Sequence, residues 1–187
     1  ALGLVPNAML GVQMGELEDL RYVDVKEATR VIEANRDKIL GVKIRLSDNL
    51  AANGENEMPA LLRAREAADA VGLPLMIHTP LSSLSMKQVL NEMRPGDVLT
   101  HSFHGHRCGI LDSEMKVLPE VHKKVAEGLL LDIGHGQGSF TFEVARAAMS
   151  QGVIPHTISS DLPLSAILPS SGTRSLALEI FFSWIRT

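Results

Sequence analysis

Short apolar runs alternate with longer amphipathic segments along this chain. The runs fall at 2–6 (LGLVP), 39–46 (ILGVKIRL), 73–78 (LPLMIH), 97–101 (DVLTH), 129–134 (LLLDIG) and 154–161 (IPHTISSD). Their apolar residues are near-continuous, which predicts parallel strands covered on both faces. The segments between them repeat apolar residues at helical spacing. Val25, Ala28 and Ile32 follow a candidate N-cap at Asp24, and Ala60, Ala64, Ala67 and Val71 precede Gly72. Val117, Val121 and Val125 precede Gly128, and Phe140, Val144 and Ala147 precede Gly152. Glycine just beyond a helical stripe is a stop signal, because its backbone enters the left-handed region without strain. A shorter helix is expected over 85–93, closed by RPGD.

Strand and helix thus alternate, which defines an α/β fold with right-handed crossovers and a parallel sheet of about six strands. The longer connections, 7–23, 47–57 and 102–116, all follow strands. In barrels and open α/β sheets alike, that carboxyl edge carries the active site.

Composition narrows the function classes. The 187 residues are 45% hydrophobic and 21% charged, with a net charge of -4 and 4% aromatics. That balance supplies neither a basic surface nor stacking platforms, so nucleic-acid binding is not expected. No apolar run approaches the ~20 residues of a membrane-spanning helix. The single cysteine, Cys108, has no partner for an internal disulfide. With no secretory leader legible, a cytoplasmic location is expected.

The chemistry-bearing residues gather at predicted strand ends. Lys43 lies within GVKIRL, His78 and His101 end the next two strands, His135 follows LLLDIG, and Asp161 closes the last run. Parallel strands aim their carboxyl ends at one crevice, so these groups can converge there. Two imidazoles, a carboxylate and an amine form a plausible metal-ligand set. A single histidine at a strand end is more often a hydrogen-bonded structural residue, and a strand lysine is more often a surface group. Lys43, however, sits between Val42 and Ile44 in a strand that reads as buried. A charged amine there is costly without a partner.

Taken together and in order, GVKIRLS, PLMIHTP, GDVLTHSFHG, ILD, DIGHGQGSFTFEVA and TISSDL resemble the amidohydrolase superfamily over about residues 1–162. The resemblance is nearest to its metal-dependent deacetylases and dihydroorotase-like enzymes. It implies a (β/α)8 TIM-type barrel with a centre of one or two Zn2+ ions. Lys43 matches the carboxylated lysine that bridges the metals, and His78 and His101 match the histidine ligands. Asp161 matches the aspartate that is both ligand and general base. The implied reaction is hydrolysis of an amide or cyclic amide C–N bond of a small molecule by metal-activated hydroxide. Asp161 takes the proton and returns it to the leaving nitrogen. His104, in SFHGH, and His135 are the candidate substrate contacts.

The chain departs from the family pattern in two places. No His-x-His pair precedes Lys43, so the second metal position lacks its histidines, and LGLVP matches the third strand. The segment therefore reads as about strands 3 to 8 of the barrel, without the first strands and the flanking β domain. Beyond Leu162, the stretch 163–187 holds the only Trp and two of the five Phe, and is expected to be an atypical helical tail. Strand edges left open by missing neighbours favour self-association into a homo-oligomer. Two other readings stand beside the hydrolase. One is a phosphate- or nucleotide-binding module that uses the loop 134–138, with Gly134, Gly136 and Gly138, ahead of a helix. The other is a scaffold without activity.

Overall fold

The computed structural model describes residues 16–136 and 138–161. The predicted strand 2–6 and the tail 163–187 lie outside these residues. Helix α1 (Val25–Ala34) precedes strand β1 (Val42–Arg45), and α2 (Glu57–Val71) leads to β2 (Leu75–His78). After α3 (Met86–Asn91) come β3 (Val98–Thr100), α4 (Pro119–Ala126), β4 (Leu130–Leu131) and α5 (Phe142–Ser150).

Local sequence explains the helix limits. The Asp24 carboxylate accepts from the N–H of Glu27 and opens α1. Ser85 and Gln88 form a reciprocal capping box at α3. The Thr141 side chain caps α5. Helix α2 stops at Gly72, which has a φ of 63° and donates back to Ala68 and Asp69. Two expected helix residues fall outside their helices. Pro119 takes the first position of α4, which leaves Val117 in an antiparallel bridge to Leu111. Phe140 precedes the α5 cap.

The four strands pair in the order β1-β2-β3-β4, all parallel. Chain order without reversal is what the wall of a barrel requires; a doubly wound sheet reverses direction at a switch point. The fold is α/β, a partial (β/α)8 barrel. The last predicted strand, 154–161, appears as a single parallel bridge from Asp132 to Thr157. It still lies along the end of β4, because the N–H groups of Ile133, His135 and Gly136 donate to the carbonyls of Thr157, Ser159 and Ser160.

The two faces of the sheet differ, which corrects the expectation of cover on both. Register aligns Ile44, Ile77, Leu99 and Leu131 on one face, all fully buried. The alanine stripe of α2 joins this core through Ala60, Ala64, Ala67 and Ala68, all fully buried. Side chains this small let the helix approach the strands closely. Each fully buried aliphatic contributes roughly 1.5–3 kcal/mol relative to exposure. The opposite face carries Lys43, Arg45, Met76 and His78, all half-buried. Lys43 is thus not enclosed with Val42 and Ile44: successive strand residues point to opposite sides. Among the described residues, no helix is long and apolar enough to cross a membrane.

Candidate active site

Strand pairing sets one row of side chains across the carboxyl edge of the polar face: Arg45 opposite His78, and His78 opposite Thr100. Asp132 extends the row beyond β4, since its N–H donates to Leu99 O at 2.9 Å. His101 follows Thr100, and simple alternation would turn it towards the buried aliphatic face. Its φ of 58° breaks the alternation. The ring instead meets His78 edge-on, with centroids 4.5 Å apart and planes at 85°. A left-handed backbone at a residue with a Cβ is strained, and such strain concentrates at functional positions.

Two contacts define the buried His101 imidazole. Its Nδ1–H donates to Gly134 O. A carbonyl can only accept, so this bond leaves the lone pair of a neutral ring on Nε2. Nε2 is buried and makes no hydrogen bond of good geometry. It lies 3.3 Å from Asp161 Oδ2. Gly134 is required for this close approach. At its φ of 48°, a Cβ would collide with Thr100 Oγ1 and would stand 2.8 Å from His101 Nδ1.

Electrostatics at the edge follow from these neighbours. Asp161 is held down to about 2, first by His101 across the 3.3 Å gap, which acts in this direction only while Nε2 carries a proton, and then by the charge of Lys43 against the opposing effect of burial. His78 is pushed down to about 2, mainly by burial, with His101, Arg45 and Lys43 acting in the same direction. Arg45 forms an ion pair with Glu16, whose carboxyl is raised by burial against the pull of Arg45 and Lys43.

His78, His101 and Asp161 therefore meet at one edge, and Lys43, opposite Met76 and one strand repeat further in, acts on them through its charge. His104 does not join them. It is buried, its Nε2 lies 3.2 Å from Thr79 Oγ1, and its Nδ1 accepts from the His106 N–H. It does not line the cavity beside His78. His135 turns to Gly136 O at 2.8 Å and stacks on Phe140 at 5.1 Å. A cavity of about 350 Å³ opens beside His78, lined also by Arg45, Ser47, Pro80, His106 and Gly138. His106, two residues beyond the expected contact, is thus the loop histidine that lines it. A larger hollow of about 430 Å³ lies at the opposite rim. Its charges are mutually paired, Arg65 with Asp97 and Asp69, and Arg94 with Asp69.

Two N–H groups of the loop 134–138 are committed within the chain. The N–H groups of His135 and Gly136 donate to Ser159 O and Ser160 O, and α5 begins only at Phe142. Sequence reasoning passed over Asp132 and Arg45. Arg45 was accessible through the two-residue strand period from Lys43. Asp132 gave no signal beyond ending an apolar run.

No family model matches the chain. It is 32% identical over 147 residues to a deacetylase of Brucella anthropi, covering 79% of this chain and 36% of that protein. It is 34% identical over 163 residues to a deacetylase of Enterococcus faecalis, covering 86% of this chain and 44% of that protein. Among solved structures, an adenine deaminase superposes with a TM-score of 0.74 at 34% identity, over 79% of this chain and 40% of that one. A dihydroorotase superposes with a TM-score of 0.71 at 34% identity, over 80% and 40% respectively. The chain belongs to the amidohydrolase superfamily. It spans less than half the length of the curated relatives it matches.

Proposed function

We propose that this chain carries one half of a metal-dependent active site that hydrolyses an amide or cyclic amide C–N bond of a small molecule. The observation that carries the reading is the facing of His101 Nε2 and Asp161 Oδ2 at 3.3 Å. With Nδ1–H committed to Gly134 O, a neutral His101 would set two lone pairs face to face, so the pair calls for a positive centre between them, a proton or a metal ion. An imidazole fixed through its other nitrogen on a carbonyl is also the usual form of a metal-ligating histidine. The donors of the proposed zinc site are His78, His101, Asp161 and a carboxylated Lys43. Among the described residues, no group of three or more His, Cys, Asp or Glu is close enough to hold a metal by itself, which makes Lys43 integral to the proposal.

When bound, zinc supplies a Lewis acid that acidifies water and polarises a carbonyl oxygen. The residues supply the rest. Asp161, held ionised by its neighbours, accepts the proton of the attacking water and returns it to the leaving nitrogen. His78 stays neutral and keeps its ring available as a donor of electrons. The cavity beside His78 admits the substrate, with Arg45 and His106 on its wall.

The test is zinc titration of the full chain against a competing chelator. Wild type is expected to bind about one zinc per chain, and His101→Asn to bind at least about tenfold more weakly. A folded wild-type chain without stoichiometric binding would overturn the reading. Hydrolysis of N-acetylated and cyclic amide substrates, lost on chelation, would extend it to turnover.

A further inference from the structure

The carboxylate of Asp132 is buried at the end of β4, and no Lys or Arg pairs with it among the described residues. Three hydroxyls hold it instead. Thr100 Oγ1 donates to Oδ2 at 2.7 Å, Ser159 Oγ to Oδ2 at 2.8 Å, and Thr157 Oγ1 to Oδ1 at 2.7 Å. A desolvated carboxylate without a cation is expensive, so all of its donors are fixed in direction. Those donors are not arbitrary. Thr100 immediately precedes His101, and Ser159 lies two residues before Asp161.

The backbone repeats the arrangement. The N–H of Ser102, on the far side of His101, donates to Asp132 O at 3.1 Å. Two residues beyond Asp132, Gly134 O receives His101 Nδ1–H. The next two N–H groups, of His135 and Gly136, reach Ser159 O at 2.9 Å and Ser160 O at 2.8 Å. His101 is thus held on both sides and at its ring by the stretch that Asp132 begins. The approach to Asp161 is held by the same carboxylate and the same stretch.

We propose that Asp132 is a positioning residue that sets the separation and facing of His101 and Asp161 without touching either. The proposal rests on the reading of His101 and Asp161 as metal donors. Its role is to join two parts of the chain that no regular strand pairing connects. Between them the bridge from Asp132 to Thr157 is the one ladder rung among the described residues.

The experiment is cobalt(II) titration of the full chain, read by the visible spectrum, with near-ultraviolet circular dichroism and a thermal melt to establish folding. Asp132→Asn is expected to keep the fold and to weaken cobalt binding about tenfold or more. The single-hydroxyl variants Thr100→Val and Ser159→Ala are expected to weaken it by a smaller factor. These two variants carry the test if Asp132→Asn does not fold. Val89→Ala, in the core on α3, serves as a control expected to lower the melting temperature and leave cobalt affinity unchanged. Wild-type binding with unaffected affinity in the folded Asp132 and hydroxyl variants would overturn this proposal and leave the metal reading intact. Equal loss of affinity in Val89→Ala would also overturn it, as a mere stability effect. Failure of the folded wild type to bind cobalt would overturn the metal reading, and this proposal with it.

Discussion

His78 and His101 meet edge to face at 4.5 Å, although β2 and β3 lie side by side and His101 follows the last β3 residue. Two imidazoles so close cannot both accept protons cheaply. Burial already disfavours the cation at His78, and the ring of His101 adds to it.

A first prediction concerns acid stability. His78 is lowered to about 2 and His104 to about 4, both mainly by burial. The unfolded chain takes up these protons near an ordinary histidine value of ~6.5, so it binds more protons than the folded chain below that pH. The contribution is complete above ~6.5 and falls with pH, towards about 4 for His104 and about 2 for His78. The urea midpoint of the metal-free chain should decrease steadily from pH 7 to pH 5, with a shallower slope in His104→Gln. An unchanged midpoint across that range would contradict the assignment.

Gly134→Ala should be damaging out of proportion to one methyl group. The new Cβ meets Thr100 Oγ1 and His101 Nδ1 on a backbone at φ 48°. Strain and displacement together are expected to cost roughly 1–3 kcal/mol. Denaturant melts would measure the loss, and a variant as stable as wild type would show that the loop yields easily.

At the opposite rim, Arg65 Nη1 binds Asp97 Oδ2 at 2.6 Å, and Asp97 also accepts the N–H groups of Leu75 and Arg94, each at 2.7 Å. Both residues are buried. Asp97→Ala leaves the Arg65 guanidinium with Asp69 alone and strands a buried strand N–H, and should cost roughly 1–3 kcal/mol. Asp97→Asn keeps an acceptor and should cost less. Zinc affinity measured where each variant remains folded should stay at the wild-type value.

Metal should act as a folding ligand. Zinc at about a hundredfold over its dissociation constant stabilises a chain that binds only when folded by about 2.7 kcal/mol. A rise of several degrees in melting temperature, reversed by chelator, is expected. Identical melts with and without zinc would count against the site.

Much of this arrangement is readable before any coordinates. The cap Asp24 and the stop at Gly72 fall where polar and glycine positions punctuate the apolar stripes. That His78 and His101 end neighbouring strands at one edge follows from parallel pairing, but the left-handed backbone that turns the His101 ring to His78 leaves no mark in the sequence. The surroundings of Lys43 were harder, because apolar neighbours in sequence suggest burial, whereas the pleat sends them to the other face. His104 looked like a ligand contact because a loop histidine carries no mark of its depth; Thr79 and the His106 N–H, which hold it, come together only on folding. Asp132 was hidden for a related reason. Its hydroxyl partners, Thr100, Thr157 and Ser159, lie more than twenty residues away and carry no metal-ligand spacing.

The left-handed backbone at His101 narrows what evolution can do there. Valine, isoleucine or threonine would be refused by main-chain sterics before their lack of a suitable donor mattered. Asparagine or aspartate would tolerate the bend but present a shorter arm. Drift at this position is therefore filtered twice, once by conformation and once by chemistry.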